Sequence, residues 1–67
     1  VLFRSSALVE ALLALPSAQR RAVVLRHWLG LTVAETAREL GISEGTVKSN
    51  SSRGLAALQA VLEPREA

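Results

Sequence analysis

The chain contains no cysteine, one histidine, and two aromatic residues, a phenylalanine and a tryptophan. The lack of cysteine excludes a disulfide framework and a cysteine-based metal site. His27 has no other histidine, cysteine or carboxylate pair placed to work with it, so we expect no catalytic residue, no metal, no cofactor and no enzyme activity. Two aromatics are too few for a platform that stacks single-stranded nucleic acid. Trp28 is therefore predicted to be a core or half-buried packing residue.

Long hydrophobic runs are also missing. No apolar run approaches the roughly 20 residues that span a bilayer. The short apolar segment 8–15 lacks the basic leader and cleavage site of a signal peptide. We therefore expect neither a membrane span nor a secretion signal. The chain has 67 residues, of which 49% are hydrophobic, which suits one small helical domain.

The helical periodicity divides the chain into four segments without strand alternation. A first helix is predicted over 6–14, ending before Pro16, because the residue before proline avoids helical geometry. A second runs to about Trp28 and is broken by Gly30, with an inward stripe of Ala22, Leu25 and Leu29. The predicted domain covers residues 6–63. An unstructured remnant over 1–5 precedes it, and a polar tail over 64–67 follows.

Residues 32–55 have the layout of a helix-turn-helix. Thr32 followed by Glu35 predicts a capping box at the start of the first helix. Gly41 is predicted to end that helix in a left-handed conformation. Ser43 is predicted to cap the next helix, whose positive end Glu44 complements.

The last helix divides into two faces at about 100° per residue. Its inward side is predicted to carry Val47, Gly54, Leu55, Leu58 and Leu62. Its outward side is small, polar and cationic, with Lys48, Ser49, Ser52, Arg53, Gly45 and Ala56. Ser51 falls on the inward side, where it either bonds a carbonyl one turn back or faces a gap. The run 49–54 is poor in helix formers, so a flexible loop is the alternative there.

Short side chains allow a helix to enter the major groove, where Lys and Arg contact phosphate or guanine. An ordinary solvated face is the alternative for Lys48 and Arg53 taken alone. The net charge of +2 gives only a mild indication of a polyanionic partner. The capped turn that precedes the helix favours DNA. Arg20, Arg21, Arg26 and Arg38 are left undecided between phosphate, protein partner and solvent.

The sequence resembles region 4 of bacterial sigma-70-family factors, most of all the extracytoplasmic-function (ECF) group and its actinobacterial sigma-E-like members. The resemblance covers about residues 7–62. Residues 41–48 alone are also typical of LuxR-type regulators. The specific segments are Leu15–Pro16 followed by Gln19–Arg20, Gly30–Leu31–Thr32, Glu35–Thr36–Ala37, and Gly45–Thr46–Val47–Lys48–Ser49.

The resemblance implies an all-α fold: a small four-helix, winged-helix-like helix-turn-helix domain. It also implies recognition of the −35 promoter element within RNA polymerase holoenzyme. The implied partners are double-stranded promoter DNA, the flap of the polymerase core and an anti-sigma factor, with no membrane and no small-molecule substrate. The implied location is the cytoplasm, at the nucleoid. By position, the major-groove contacts are Lys48, Ser49, Ser52 and Arg53, and the phosphate contacts are Thr32, Ser43, Gly45 and Thr46.

Two departures from the family pattern are visible. Asn50 and Ser51 stand where many members have a basic and an apolar residue. Sigma region 2 has no counterpart, so we expect an excised or truncated region 4 or a stand-alone remnant. The alternatives to promoter recognition are a LuxR-type regulator domain, which works as a dimer, and a module that binds only the polymerase flap or an anti-sigma factor.

Overall fold

A computed structural model describes the backbone of residues 2–62 and the side chains of residues 7–61. Helix α1 is Leu2–Ala14 and α2 is Ser17–Val23, which continues into a π-helical turn, Val24–Trp28. Helix α3 is Val33–Leu40 and α4 is Glu44–Leu62. Within residues 2–62 there is no strand, which confirms the predicted all-α helix-turn-helix fold.

No helix among the described residues is long and apolar enough to cross a membrane.

The first helix begins earlier than predicted. It starts at Leu2 rather than at residue 6, so the prediction of an unstructured segment over 1–5 is wrong for residues 2–5. The stretch from Leu2 to Ala14 contains no proline or glycine and several strong helix formers, so nothing in it stops the helix. Residue 1 and the predicted tail, 64–67, lie outside the described residues.

The core lies where α1 and α2 pack on α4. Its buried cluster is Ala11, Leu15, Val23 and Leu58, with Leu12 and Leu55 packed partly buried against it. Val47, on the first half of α4, is also fully buried. The inward positions predicted for α4 are thus confirmed for Val47, Gly54, Leu55 and Leu58. Leu62 lies outside the side chains that the structure describes.

The inward stripe predicted for the second helix is only partly right. Ala22 is buried, but Leu29 is 65% exposed, and Val23, which the stripe omitted, is fully buried. Leu29 is exposed because it follows a π-helical turn, in which its N–H donates to the Val24 carbonyl at 3.0 Å. This i→i−5 bond encloses one more residue than the i→i−4 bond of an α-helix and shifts the following side chains out of register. Trp28 is 52% exposed, so the prediction that it is a core or half-buried packing residue is wrong.

Arg20 joins α1 to α2. Its guanidinium Nη1 donates to the Leu13 and Leu15 carbonyls, at 3.3 Å each. These carbonyls lie at the end of α1, where helical partners run out before Pro16. Arg20, left undecided by the sequence, therefore has a structural role.

Candidate nucleic-acid interface

The N-terminal end of α3 is fixed by the predicted capping box. The Glu35 N–H donates to Thr32 Oγ1 at 3.0 Å, and the Thr32 N–H donates to Glu35 Oε1 at 2.8 Å. Both groups of Thr32 are therefore used within the box. The N–H groups of Val33 and Ala34, in the first turn, have no partner inside the helix. They point out of its N-terminal end, which is the positive end of the helix dipole. A phosphate near Thr32 would be held chiefly by these two amides and by the Thr32 hydroxyl hydrogen.

The capping box lowers the pKa of the Glu35 carboxyl. The Thr32 backbone N–H holds the pKa of Glu35 below its ordinary value, and the Thr32 hydroxyl and the charge of Arg38 act in the same direction. Slight desolvation opposes them. The carboxylate therefore stays ionised at neutral pH and keeps the box closed.

The turn between α3 and α4 is tight and well bonded. Gly41 ends α3 with φ +69°, a left-handed conformation that glycine adopts without steric cost. The N–H groups of Gly41 and Ile42 both donate to the Ala37 carbonyl, at 2.8 and 3.1 Å. Half-buried Ile42 follows. These hydrogen bonds hold the turn, and so the orientation of α4 relative to α3.

The N-terminal end of α4 is capped by Ser43, as predicted. Ser43 Oγ accepts from the Thr46 N–H at 3.1 Å and lies 2.9 Å from Thr46 Oγ1. The N–H groups of Glu44 and Gly45 precede the first intrahelical donors. The structure therefore places three of the predicted phosphate residues, Ser43, Gly45 and Thr46, together at one exposed helix end.

Gly45 has no packing reason to be glycine. A Cβ at this position would meet only Ser43 Oγ, at 4.0 Å, and its φ is not positive. Glycine within a helix costs about 0.5–1 kcal/mol relative to alanine. The bare backbone leaves space for a close approach from outside, which is what a phosphate bound by helix amides requires.

The outward side of α4 carries all the predicted groove residues. We call Lys48, Ser49, Ser52 and Arg53 the polar face; all are exposed. Opposite them, Val47, Ser51 and Gly54 are buried. The helix is continuous through 49–54, which rules out the loop alternative. A single continuous helix thus presents two cations and two short hydroxyls on one side.

Ser51 resolves one alternative that the sequence left open. It is buried, and its Oγ donates to the Lys48 carbonyl at 3.3 Å. The bond satisfies the hydroxyl inside the helix. The polar face therefore keeps its helical geometry despite a polar residue on the inner side.

Sequence reasoning missed Thr36. It is fully buried, and its hydroxyl donates to the Thr32 carbonyl at 2.8 Å. The bond connects the buried side of α3 to its own N-cap, so Thr36 helps to hold Thr32 in the capping box. The segment Glu35–Thr36–Ala37 was a usable signal, since a threonine flanked by periodic apolar positions sits on the buried side.

Comparison with known proteins agrees with this geometry. Residues 5–58 match the family model described as "Sigma-70, region 4". The chain belongs to the sigma-70 region 4 family. The RNA polymerase sigma-E factor of Streptomyces antibioticus is 49% identical over 59 residues, which are 88% of this chain and 33% of that protein. The sigma-E factor of Streptomyces coelicolor is 48% identical over 59 residues, with the same coverage.

The ECF RNA polymerase sigma factor SigM of Mycobacterium tuberculosis is 48% identical over 56 residues, 84% of this chain and 29% of that factor. No solved structure matches the chain. These region 4 relatives support the ECF type. The chain spans about a third of the length of the curated relatives it matches.

Proposed function

We propose that the chain recognises the −35 element of a promoter as region 4 of an ECF sigma factor, and so directs RNA polymerase in transcription initiation. The observation that carries the proposal is the polar face of α4, which is exposed on a helix whose start is fixed by a capped turn. This is how a helix-turn-helix presents its recognition helix to the major groove.

Two kinds of contact are proposed. Lys48 and Arg53 bind guanine edges or groove-flanking phosphates, while Ser49 and Ser52 are short enough to let the helix enter the groove. The helix ends at Thr32 and at Ser43, Gly45 and Thr46 hold phosphates through backbone amides and hydroxyls. Guanine contacts in the first set read sequence, while all the phosphate contacts fix the position of the domain on the duplex.

The proposed partners are double-stranded promoter DNA, the flap of the polymerase core and an anti-sigma factor. The chain acts by binding and carries out no catalysis. It works in the cytoplasm, at the nucleoid. Family membership supports these proposals, since the names of the relatives describe sigma factors of RNA polymerase.

Single substitutions on the polar face test the proposal. Loss of a bidentate guanine contact in Arg53→Ala is expected to weaken specific binding by about 1–3 kcal/mol and to relax the choice at one base. Lys48→Ala is expected to weaken binding to all sequences and to lower the salt slope by about 1 if Lys48 binds phosphate. Fluorescence anisotropy at several salt concentrations, on a recognised duplex and a random duplex, measures both.

Leu13→Ala is the control for a surface substitution outside the polar face, because Leu13 is exposed on a different helix, α1. It is expected to bind DNA as the parent chain does. If Lys48→Ala and Arg53→Ala keep parental affinity for DNA while binding to a polymerase flap or an anti-sigma factor falls, the interaction-module alternative replaces promoter recognition.

A further inference from the structure

The connection between the π-helical turn and α3 is held at one residue, Leu31. The Leu31 N–H donates to the Leu25 carbonyl at 2.9 Å. The Leu31 carbonyl accepts from Arg26 Nη1 at 2.6 Å. Both backbone groups of Leu31 are thus bonded to the turn that precedes it, and Leu31 directly precedes the N-cap Thr32.

Of the two hydrogen bonds at Leu31, the one from Arg26 is expected to be the stronger. A hydrogen bond from a guanidinium is charge-assisted, and such bonds are shorter and stronger than neutral ones. The side chain is half-buried, so solvent competes less for it than for the exposed Arg38 or Arg53. Gly30, with φ +76°, reverses the chain between Arg26 and Leu31. Glycine gives this segment conformational freedom, which the hydrogen bond from Arg26 to the Leu31 carbonyl removes.

We propose that Arg26 is a positioning residue: it holds the N-terminal end of α3 in place and so presents the Val33 and Ala34 amides to a DNA phosphate. The proposal rests on the proposed function. It assigns to Arg26 a role different from those of Lys48 and Arg53, because its guanidinium is bonded to the protein.

Arg26→Gln tests this role in DNA binding, with Arg21→Gln, at an exposed arginine of α2, as the matched control for the loss of one positive charge. We expect Arg26→Gln to weaken binding to a recognised duplex about five- to twentyfold, with a salt slope unchanged from that of the parent chain. A residue that itself binds phosphate would lower the slope by about 1. A lowered slope, or an equal loss of affinity in both variants, would overturn the proposal.

Amide hydrogen exchange tests the same role without DNA. In Arg26→Gln, the Leu31 and Thr32 amides are expected to exchange at least tenfold faster. The amide of Val47, which is fully buried in the first half of α4, is expected to keep parental protection. Unchanged exchange at Leu31 and Thr32, or equal acceleration at Val47, would overturn the proposal. If the parent chain binds no duplex, the proposed function fails, and the exchange result alone decides whether Arg26 positions α3.

Discussion

At the scale of single residues, two glycines on α4 have opposite reasons to be glycine. A Cβ on Gly54 would lie 2.5 Å from Val23 Cγ2 and 3.3 Å from the Gln19 carbonyl oxygen. The α2–α4 contact therefore requires a residue without a side chain at position 54. A Cβ on Gly45 would meet only Ser43 Oγ, at 4.0 Å, and we attribute the small size of this residue to the approach of DNA. We therefore propose that glycine serves packing at position 54 and DNA binding at position 45.

The same substitution at the two positions separates these roles. Gly54→Ala is expected to lower the free energy of unfolding by about 1–3 kcal/mol, because the added methyl overpacks the interface with Val23. Gly45→Ala is expected to raise it by about 0.4–1 kcal/mol and yet to weaken DNA binding, since the methyl group stands between phosphate and backbone. Urea unfolding and anisotropy measure the two effects. A Gly45→Ala variant with parental DNA affinity would remove Gly45 from the interface.

At the scale of helices, the caps of α3 and α4 were predicted well from the sequence, while the start of α1 and part of the buried side of the second helix were not. The capping box at Thr32 and the caps at Gly41 and Ser43 were correct, because each depends on residues within one turn. The burial of Val23 and the exposure of Leu29 were not foreseen. The exposure of Leu29 follows from a π-helical turn, which carries no periodic signal of its own.

The capping box predicts a specific response to acid. The pKa of Glu35 is lowered in the folded chain, so its ionised form is favoured by folding and adds stability. That contribution is complete above the ordinary value of 4.5 and is lost as pH falls through the lower folded value. Glu35→Gln removes the titration while retaining a hydrogen-bond acceptor for the Thr32 N–H.

We therefore expect the stability advantage of the parent chain over Glu35→Gln to be constant from pH 7 to about 5 and to shrink below 4.5. Thermal unfolding of both chains across this range measures it, and the other carboxylates cancel in the difference. A difference in stability that stays constant down to pH 3 would show that Glu35 is not held by the capping box.

At the scale of the whole molecule, a small core supports one polar face. Val23, Leu58 and Val47 bury the inner side of α4 and its partner helix, while Lys48 and Arg53 stay exposed on the outer side. The candidate interface could be predicted from sequence because it follows from the periodicity of one helix and two caps. The structural roles of Arg20 and Arg26 could not, because their carbonyl partners are five to seven residues away and become neighbours only through packing and chain reversal.

The measurement that tests promoter recognition most directly is selection of the purified 67-residue chain on a randomised duplex library at low salt, followed by sequencing. The account predicts a short, asymmetric enriched motif, read by one copy of the domain through the polar face of α4. A palindrome with half-sites about one helical turn apart would instead indicate a LuxR-type dimer. No enrichment at all would contradict the claim that this domain reads DNA sequence by itself.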